Sequence, residues 1–312
     1  MRRFLLRRVL FAVISFFGAT MLMFGLSLMA HDPRELLIPD QGYGITEDQW
    51  LALERAYGLD ASPPVRYLRW IGGVLRGDFG KAISKPQRVR ELLFGKIGAT
   101  MQIALGGWMF AMAVGLPVGV LAAVKRGEII DIIARFFALG GLAIPNFWVG
   151  IMLILLFSVS LQWLPSGTRP VDFDIRHYIM PSITLGWPAA AGLMRLTRSS
   201  MLEILDSEYV VLARAKGVSN NWVIWKHAFR NSLVVPLTSI VFLLAGLMNG
   251  AIIVETVFGW PGIGLMASSE AVLANDLPIM MGAVVMFVTF YLVAALVADL
   301  LYAVIDPRIR YS

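Results

Sequence analysis

The sequence predicts an all-α integral membrane protein with six transmembrane helices, and three observations carry that reading. The 312-residue chain is 58% hydrophobic and only 15% charged, where a soluble domain is about half apolar and about a quarter charged. Its apolar residues gather into six stretches of the length that crosses a hydrocarbon core, which takes about 20 helical residues. Its Lys and Arg gather in the short segments on one side of those stretches. The composition excludes an ordinary soluble enzyme and a disordered chain. With this hydrophobicity the formal charge of +6 points to an anionic membrane face and away from nucleic acid, whose binders carry basic stripes on polar surfaces. The chain has no cysteine, so it has no disulfide, no thiolate metal site and no cysteine nucleophile.

The stretches are Val9–Ala30, Thr100–Val124, Ile132–Leu161, Tyr178–Thr197, Leu233–Phe258 and Ile279–Val304. The first follows Arg2, Arg3, Arg7 and Arg8. It is too long for the apolar part of a signal peptide, no small-residue cleavage site precedes His31, and it is expected to be retained. Pro117 and Pro145 should kink the second and third stretches. The fourth is interrupted by Pro181, Gly186, Pro188 and Arg195, which membrane helices tolerate when neighbours satisfy the backbone. Gly115-x-x-x-Gly119 and Gly246-x-x-x-Gly250 permit close helix approach, within the chain or against a partner subunit.

Orientation follows from the basic residues of short loops. The N-terminus, the Lys125–Asp131 loop, the Arg195–Ser232 stretch and the tail with Arg308 and Arg310 all fall on one side if six helices alternate. The opposite segment from Glu255 to Pro278 holds no Lys or Arg. Both termini are therefore expected in the cytoplasm. The segment His31–Gly98 carries ten basic and nine acidic residues, but long loops cross largely regardless of charge. The chain then divides into an N-terminus with the first helix (1–30), an extracytoplasmic helical subdomain (31–98), and a five-helix core (99–312) with a cytoplasmic loop at 199–232.

The water-facing segments carry capping signals. Thr46-Glu47-Asp48-Gln49 has capping-box form and predicts a helix from Glu47 to Tyr57 that ends at Gly58. Ser62 followed by Pro63 predicts a second helix with an apolar stripe of Tyr67, Leu68, Ile71 and Leu75, ending at Gly77. This subdomain is either a packing lid or a docking surface or gate. On the cytoplasmic side, Asp206 or Ser207 caps a short helix with Glu208 in its first turn, Arg214 and Lys216 in its last and Gly217 as its stop, matching the helix dipole. Ser219 or Asn220 caps the next helix, with Trp222, Trp225, Phe229 and Leu233 on one face and Lys226, His227 and Arg230 turned to anionic lipid heads. Two capped helices joined at a glycine form a rigid protrusion that can transmit force, or an interfacial connector with no partner.

The run Glu208-Tyr209-Val210-Val211-Leu212-Ala213-Arg214-Ala215-Lys216-Gly217, followed by Lys226-His227-Ala228-Phe229-Arg230-Asn231, resembles the cytoplasmic coupling loop of bacterial ABC-transporter permeases of the dipeptide/oligopeptide/nickel class. Tyr57-Gly58-Leu59-Asp60 with Leu75-Arg76-Gly77-Asp78-Phe79-Gly80, Arg195-Leu196-Thr197-Arg198-Ser199-Ser200-Met201-Leu202-Glu203, Glu255-Thr256-Val257-Phe258-Gly259-Trp260-Pro261-Gly262-Ile263-Gly264 and Asp306-Pro307-Arg308-Ile309-Arg310-Tyr311 resemble further segments of that class, in order. Val211-Leu212-Ala213 stand where the general motif has Glu-Ala-Ala, Ala30-His31-Asp32-Pro33 replace a Pro-Gly-Asp-Pro-like turn, and Lys96-Ile97-Gly98-Ala99-Thr100 replace an Arg-x-Pro-Ala-Thr-like run.

The resemblance implies a type I ABC importer-like permease in the bacterial cytoplasmic (inner) membrane. It implies a second homologous permease, two ATPase subunits, a solute-binding protein and membrane lipid as partners. It also implies coupling to the ATPase through Glu208, Tyr209, Ala213, Arg214, Ala215, Lys216 and Gly217, and a binding-protein dock or outer gate at Trp260, Pro261 and Gly262. No cofactor is expected in this chain, with ATP and Mg on the partner ATPases, since neither Gly80-Lys81 nor Gly95-Lys96 continues as a phosphate-binding loop. His31, His177 and His227 are isolated and predict no metal site. Arg195, Glu255 and Asp299 are the ionisable residues near the membrane, and each is either a path residue or an anchor at a span end. A stand-alone ion-coupled carrier would show mid-bilayer acids and inverted repeats, and a membrane enzyme a nucleophile-base or metal constellation; the sequence shows neither. For the solute the expectation is a di- or oligopeptide first, an oligosaccharide second and a metal complex third.

Overall fold

The computed structural model describes residues 2–30, 51 and 61–305. The helix expected from Glu47 to Tyr57 and the tail motif from Asp306 lie outside the described residues apart from Leu51, which is helical. The helices are α1 (Arg2–Ala30), α2 (Pro63–Leu75), α3 (Val89–Val124), α4 (Ile129–Ala143), α5 (Asn146–Leu153), α6 (Arg176–Leu205), α7 (Glu208–Ala215), α8 (Asn220–Trp222), α9 (Arg230–Ser232), α10 (Val234–Phe258), α11 (Ile263–Leu265) and α12 (Leu277–Ile305). Wider π-turns occupy Ile154–Ser160, Val223–Phe229 and Met266–Ala271. Among the described residues there is no strand, only an isolated bridge between Lys81 and Arg88.

Among the described residues four helical segments are long and apolar enough to cross a membrane: Leu6–Met29, Val89–Val124, Val235–Phe258 and Leu277–Leu300. A fifth arises if Ile129–Ala143 and Asn146–Ser160 count as one broken span. Pro145 does more there than kink: the two halves meet at 107°. Ile144, the residue before the proline, is extended at φ −88, ψ 128, where the proline ring disfavours helix. By contrast α6 carries Pro181 and Pro188 inside one continuous 30-residue helix.

The chain forms two compact units. The smaller comprises Arg2–Lys96 and Met266–Thr289. In it α2 packs on α1: Phe24 lies over Trp70 with ring centres 6.0 Å apart, and the Tyr67 and Thr20 hydroxyls are 3.0 Å apart. The buried stripe of α2 is Ile71 and Val74 beside Tyr67 and Trp70, while Leu68 and Leu75 stay 65% and 63% exposed. That corrects the expected stripe of Tyr67, Leu68, Ile71 and Leu75. Two stripes overlap on this helix, and the large Trp70 ring decides which is buried. The Asp276 carboxylate is fully buried; it accepts from the Ile83 and Ser84 backbone N–H groups at 2.8 Å each and from Ile279 N–H at 3.2 Å, so it pins a loop and caps α12 together. Lys85 and Lys96 flank Glu270, and the Lys85 hydrogen bond holds its carboxyl below the usual range.

The larger unit comprises Ile97–Leu265 and the chain from Phe290 onward. Its core gathers Ile103, Ala104, Met180, Leu185, Met248, Val254 and Trp260. The Gly115-x-x-x-Gly119 pattern serves contact within the chain: a Cβ at Gly119 would run into Thr197 and the Met194 carbonyl, and one at Gly115 into the Ala190 carbonyl of α6. Gly246 has nothing within 4 Å of such a Cβ, so its pattern is not used that way.

Candidate functional site

Both ends of the larger unit carry motif residues. At one end α6 runs to Leu205 and the chain turns at Asp206 and Ser207 into α7. Ser207 takes the cap position with extended backbone (φ −73, ψ 148) but makes no side-chain cap bond; its hydroxyl donates back to the Ile204 carbonyl. Glu208 lies in the first turn and Arg214 in the last. Gly217 then takes φ +78, and the N–H groups of Gly217 and Val218 close on the Arg214 and Ala213 carbonyls at 2.9 and 3.2 Å.

Of the eight residues of α7 only Val210 is buried. Tyr209, Val211 and Leu212 are 42%, 57% and 55% exposed, and Glu208, Arg214, Ala215, Lys216 and Gly217 are exposed too, with Ala213 half-buried. The helix rests on the following segment through Val210 and through Asn231 Nδ2, which donates to the Tyr209 hydroxyl at 3.3 Å. That segment is anchored in turn by Ile224 and Ala228, which pack on Val120, Ala123 and Met201 of α3 and α6.

The segment 220–232 corrects an expectation. Trp222 and Trp225 are each 57% exposed, with Lys226 over the Trp222 ring at 4.5 Å, while Val223, Ile224 and Ala228 are buried. The periodicity that put Trp222, Trp225, Phe229 and Leu233 on one face assumes an α-helix. Val223–Phe229 is a π-turn instead; Trp225 and Phe229 still meet edge-on at 5.2 Å, but Lys226, expected on the opposite face, lies over Trp222. The cap position, Ser219, is as expected but again makes no side-chain cap bond.

An ion pair between a buried aspartate and a half-buried arginine ties this end together. Arg198 donates through Nε to Asp131 Oδ1 at 2.7 Å and through a terminal nitrogen to Oδ2 at 2.9 Å, and Gly127 N–H reaches Oδ2 at 3.0 Å. The bidentate fork fixes the start of α4 against α6, about two turns before α6 ends. The sequence reading placed Asp131 only at a loop end, because nothing local marks a partner 67 residues away.

At the other end α10 stops at Gly259 in the left-handed region (φ 59), and the chain folds back. The Glu255 side chain is fully buried, accepting from Thr100 Oγ1 at 2.6 Å and Leu265 N–H at 2.8 Å. Thr100 Oγ1 also accepts from Ile263 N–H at 2.9 Å. The Trp260 indole N–H donates to the Ala99 carbonyl at 2.9 Å, and its ring meets Tyr178 edge-on at 4.9 Å. A Cβ at Gly262 would overlap the Glu255 carboxylate, so the glycine makes room for the acid. Trp260 and Gly262 are buried and Pro261 half-buried. Glu255 is thus an anchor of the 259–265 turn. Thr100, its partner 155 residues away, was read only as the start of a span.

Two clefts open on the larger unit. One of about 510 Å³ is lined by Gln102, Phe110, Tyr178 and Ser182 among others. The Gln102 amide oxygen is buried without a hydrogen-bond partner. The other, about 680 Å³, is lined by Arg135, Arg195 and Arg198 with apolar neighbours. Among the described residues no cluster of three or more His, Asp or Glu is placed to hold a metal ion.

Residues 115–311 match the family described as binding-protein-dependent transport system inner membrane component. The chain is 36% identical over 320 residues to an oligopeptide transport system permease protein of Bacillus subtilis, with 100% of each chain covered. It is 36% identical over 341 residues to a dipeptide transport system permease protein of Escherichia coli, again with 100% of each covered. Among solved structures, a chain of the methionine ABC transporter MetNI in an inward-facing conformation superimposes with TM-score 0.57 at 20% identity, over 69% of this chain and 96% of that one.

Proposed function

The chain belongs to the binding-protein-dependent transport system inner membrane component family, and from that premise we propose how it works as the permease subunit of a peptide-class ABC importer. It spans the membrane six times, with α6 and the broken α4–α5 pair as spans and both termini in the cytoplasm. A second homologous permease, two ATPase subunits and an extracytoplasmic solute-binding protein complete the complex. ATP and Mg act on the ATPase subunits, and solute passes by alternating access.

One observation carries the coupling role. The helix α7 buries one residue and leaves Tyr209, Val211 and Leu212 exposed on a rigid support. An ATPase groove that takes this helix would bury those side chains and pair Glu208 and Arg214. For Trp260, Pro261 and Gly262, burial favours the outer gate over a dock: the turn is held inside by Glu255 and Thr100 and offers little surface. The segment 31–98 is the extracytoplasmic subdomain and 99–312 the core.

For topology, single cysteines replacing Gln41 and Asp172 in this cysteine-free chain should react with an impermeant thiol reagent added outside intact cells. Cysteines at Ser219 and Ser312 should not. External labelling at Ser219 overturns the orientation. For the solute, a di- or oligopeptide is favoured by the relatives' names. Uptake by cells carrying the whole complex should be competed by unlabelled di- to pentapeptides. Competition by an oligosaccharide, with indifference to every peptide, would refute the peptide reading and leave the permease assignment standing.

A further inference from the structure

The 680 Å³ cleft lies between α4 and α6, at the end of the unit that carries the Asp131–Arg198 pair. Three arginines line it, against one carboxylate. Arg198 is committed to Asp131 through the bidentate fork. Arg135, 54% exposed, leans on the same aspartate at 3.7 Å. The Arg195 residue is exposed, and its side chain has no hydrogen bond or ion pair among the described residues. The carboxylate is thus saturated and positive charge is left over.

Away from the arginines the cleft becomes apolar. Leu139 and Leu142 on α4 are 62% and 52% exposed along its wall. Leu142 stands seven residues beyond Arg135, a helical rise of about 10 Å. Gly192 opens the other wall: a Cβ there would meet nothing within 4 Å. One end of the cleft suits a phosphate and the rest suits hydrocarbon, and no water-soluble anion uses both.

We propose that this cleft is a binding site for an anionic phospholipid, with its phosphate held by Arg135 and Arg195 and an acyl chain lying along Leu139 and Leu142. With the topology proposed above, on which its leaflet depends, the site faces the cytoplasmic leaflet, where anionic head groups attract basic pockets between helices. The lipid fills a groove beside the pair that fixes α4 on α6, and so steadies the foundation of α7.

The test uses the assembled transporter in vesicles of phosphatidylethanolamine with or without phosphatidylglycerol, with a photoreactive phenylalanine analogue replacing Leu139. Illumination should yield an adduct with the mass of phosphatidylglycerol, and inorganic phosphate should not compete it away. In R135Q/R195Q, which leaves Arg198 on Asp131, the adduct should fall about tenfold or more. Gly192→Phe, whose Cβ meets no neighbour within 4 Å and whose ring would fill the cleft, should abolish it. Crosslinking to a second protein chain, equal capture of phosphatidylethanolamine, or displacement by phosphate would each overturn the proposal. The cysteine at Ser219 in intact cells reads the orientation separately. A retained phosphatidylglycerol adduct with Ser219 on the outer side supports the cleft and refutes only the topology.

Discussion

Gly217→Val is expected to leave the protein inserted and assembled while abolishing transport driven by ATP. Gly217 sits at φ +78, where a β-branched residue is strained, and its N–H closes the end of α7. No neighbour lies within 4 Å of a Cβ placed there, so the harm is to the backbone and not to packing. Valine moves that residue toward φ < 0, and Lys216 to Ser219 must then leave α7 by another route. The loss is on the order of 1–2 kcal/mol locally, too little to unfold a membrane protein. It is enough to displace an exposed helix from a groove. ATP hydrolysis and uptake, measured together on proteoliposomes, should separate: hydrolysis persists and uptake falls to background. Gly217→Asn, which tolerates the left-handed region, should keep most uptake. Normal coupled uptake by the valine variant would remove α7 from the coupling path. Glu208→Lys should weaken coupling as well, by reversing charge at the start of the helix.

Glu255→Ala should have the largest effect on stability. Removing the carboxylate leaves Thr100 Oγ1 and Leu265 N–H without that partner in a fully buried place, and opens a hole beside Gly262 and Gly264. Each buried group left unsatisfied costs about 1–3 kcal/mol, so the total is on the order of 3 kcal/mol or more. The turn from Gly259 to Leu265 should loosen from α3, seen as earlier thermal aggregation in detergent and new protease cleavage near Trp260. Thr100→Val should reproduce part of the effect, since it removes one donor to Glu255 and the acceptor for Ile263 N–H. An unchanged melting profile for Glu255→Ala would return Glu255 to the status of a path residue.

Local signals were legible in the sequence wherever they act over one helical turn. The start of α7 at Ser207, its end at Gly217, and Pro63 opening α2 follow from caps and backbone preferences among adjacent residues. What joins distant segments was not. The Asp131–Arg198 fork, the Glu255–Thr100 bond and the Asp276 cap over Ile83 and Ser84 each span dozens to hundreds of residues, and no single residue announces its partner. In 220–232 the residue pattern puts Lys226 on the face opposite Trp222, whereas the structure lays it over that ring. Helical periodicity presumes 3.6 residues per turn, and the segment Val223–Phe229 does not keep it. The 107° break at Pro145 was foreseen only as a kink, because the proline states that the helix is interrupted and not how far the next one swings.

The wider turns at Ile154–Ser160, Val223–Phe229 and Met266–Ala271 carry a consequence for how such a chain can change length. A stretch bonded i to i+5 holds one residue more than the tighter coil that could replace it. Deleting a residue inside it lets the coil relax, with the flanking segments still aimed as before. Deleting one from an ordinary helix turns everything downstream by about 100°. These stretches are therefore the places where the polypeptide can lose a residue, or carry a spare, while the parts on either side keep their partners. The support of α7 is one of them, so this exposed helix can be retuned by register without redesigning the membrane-embedded body.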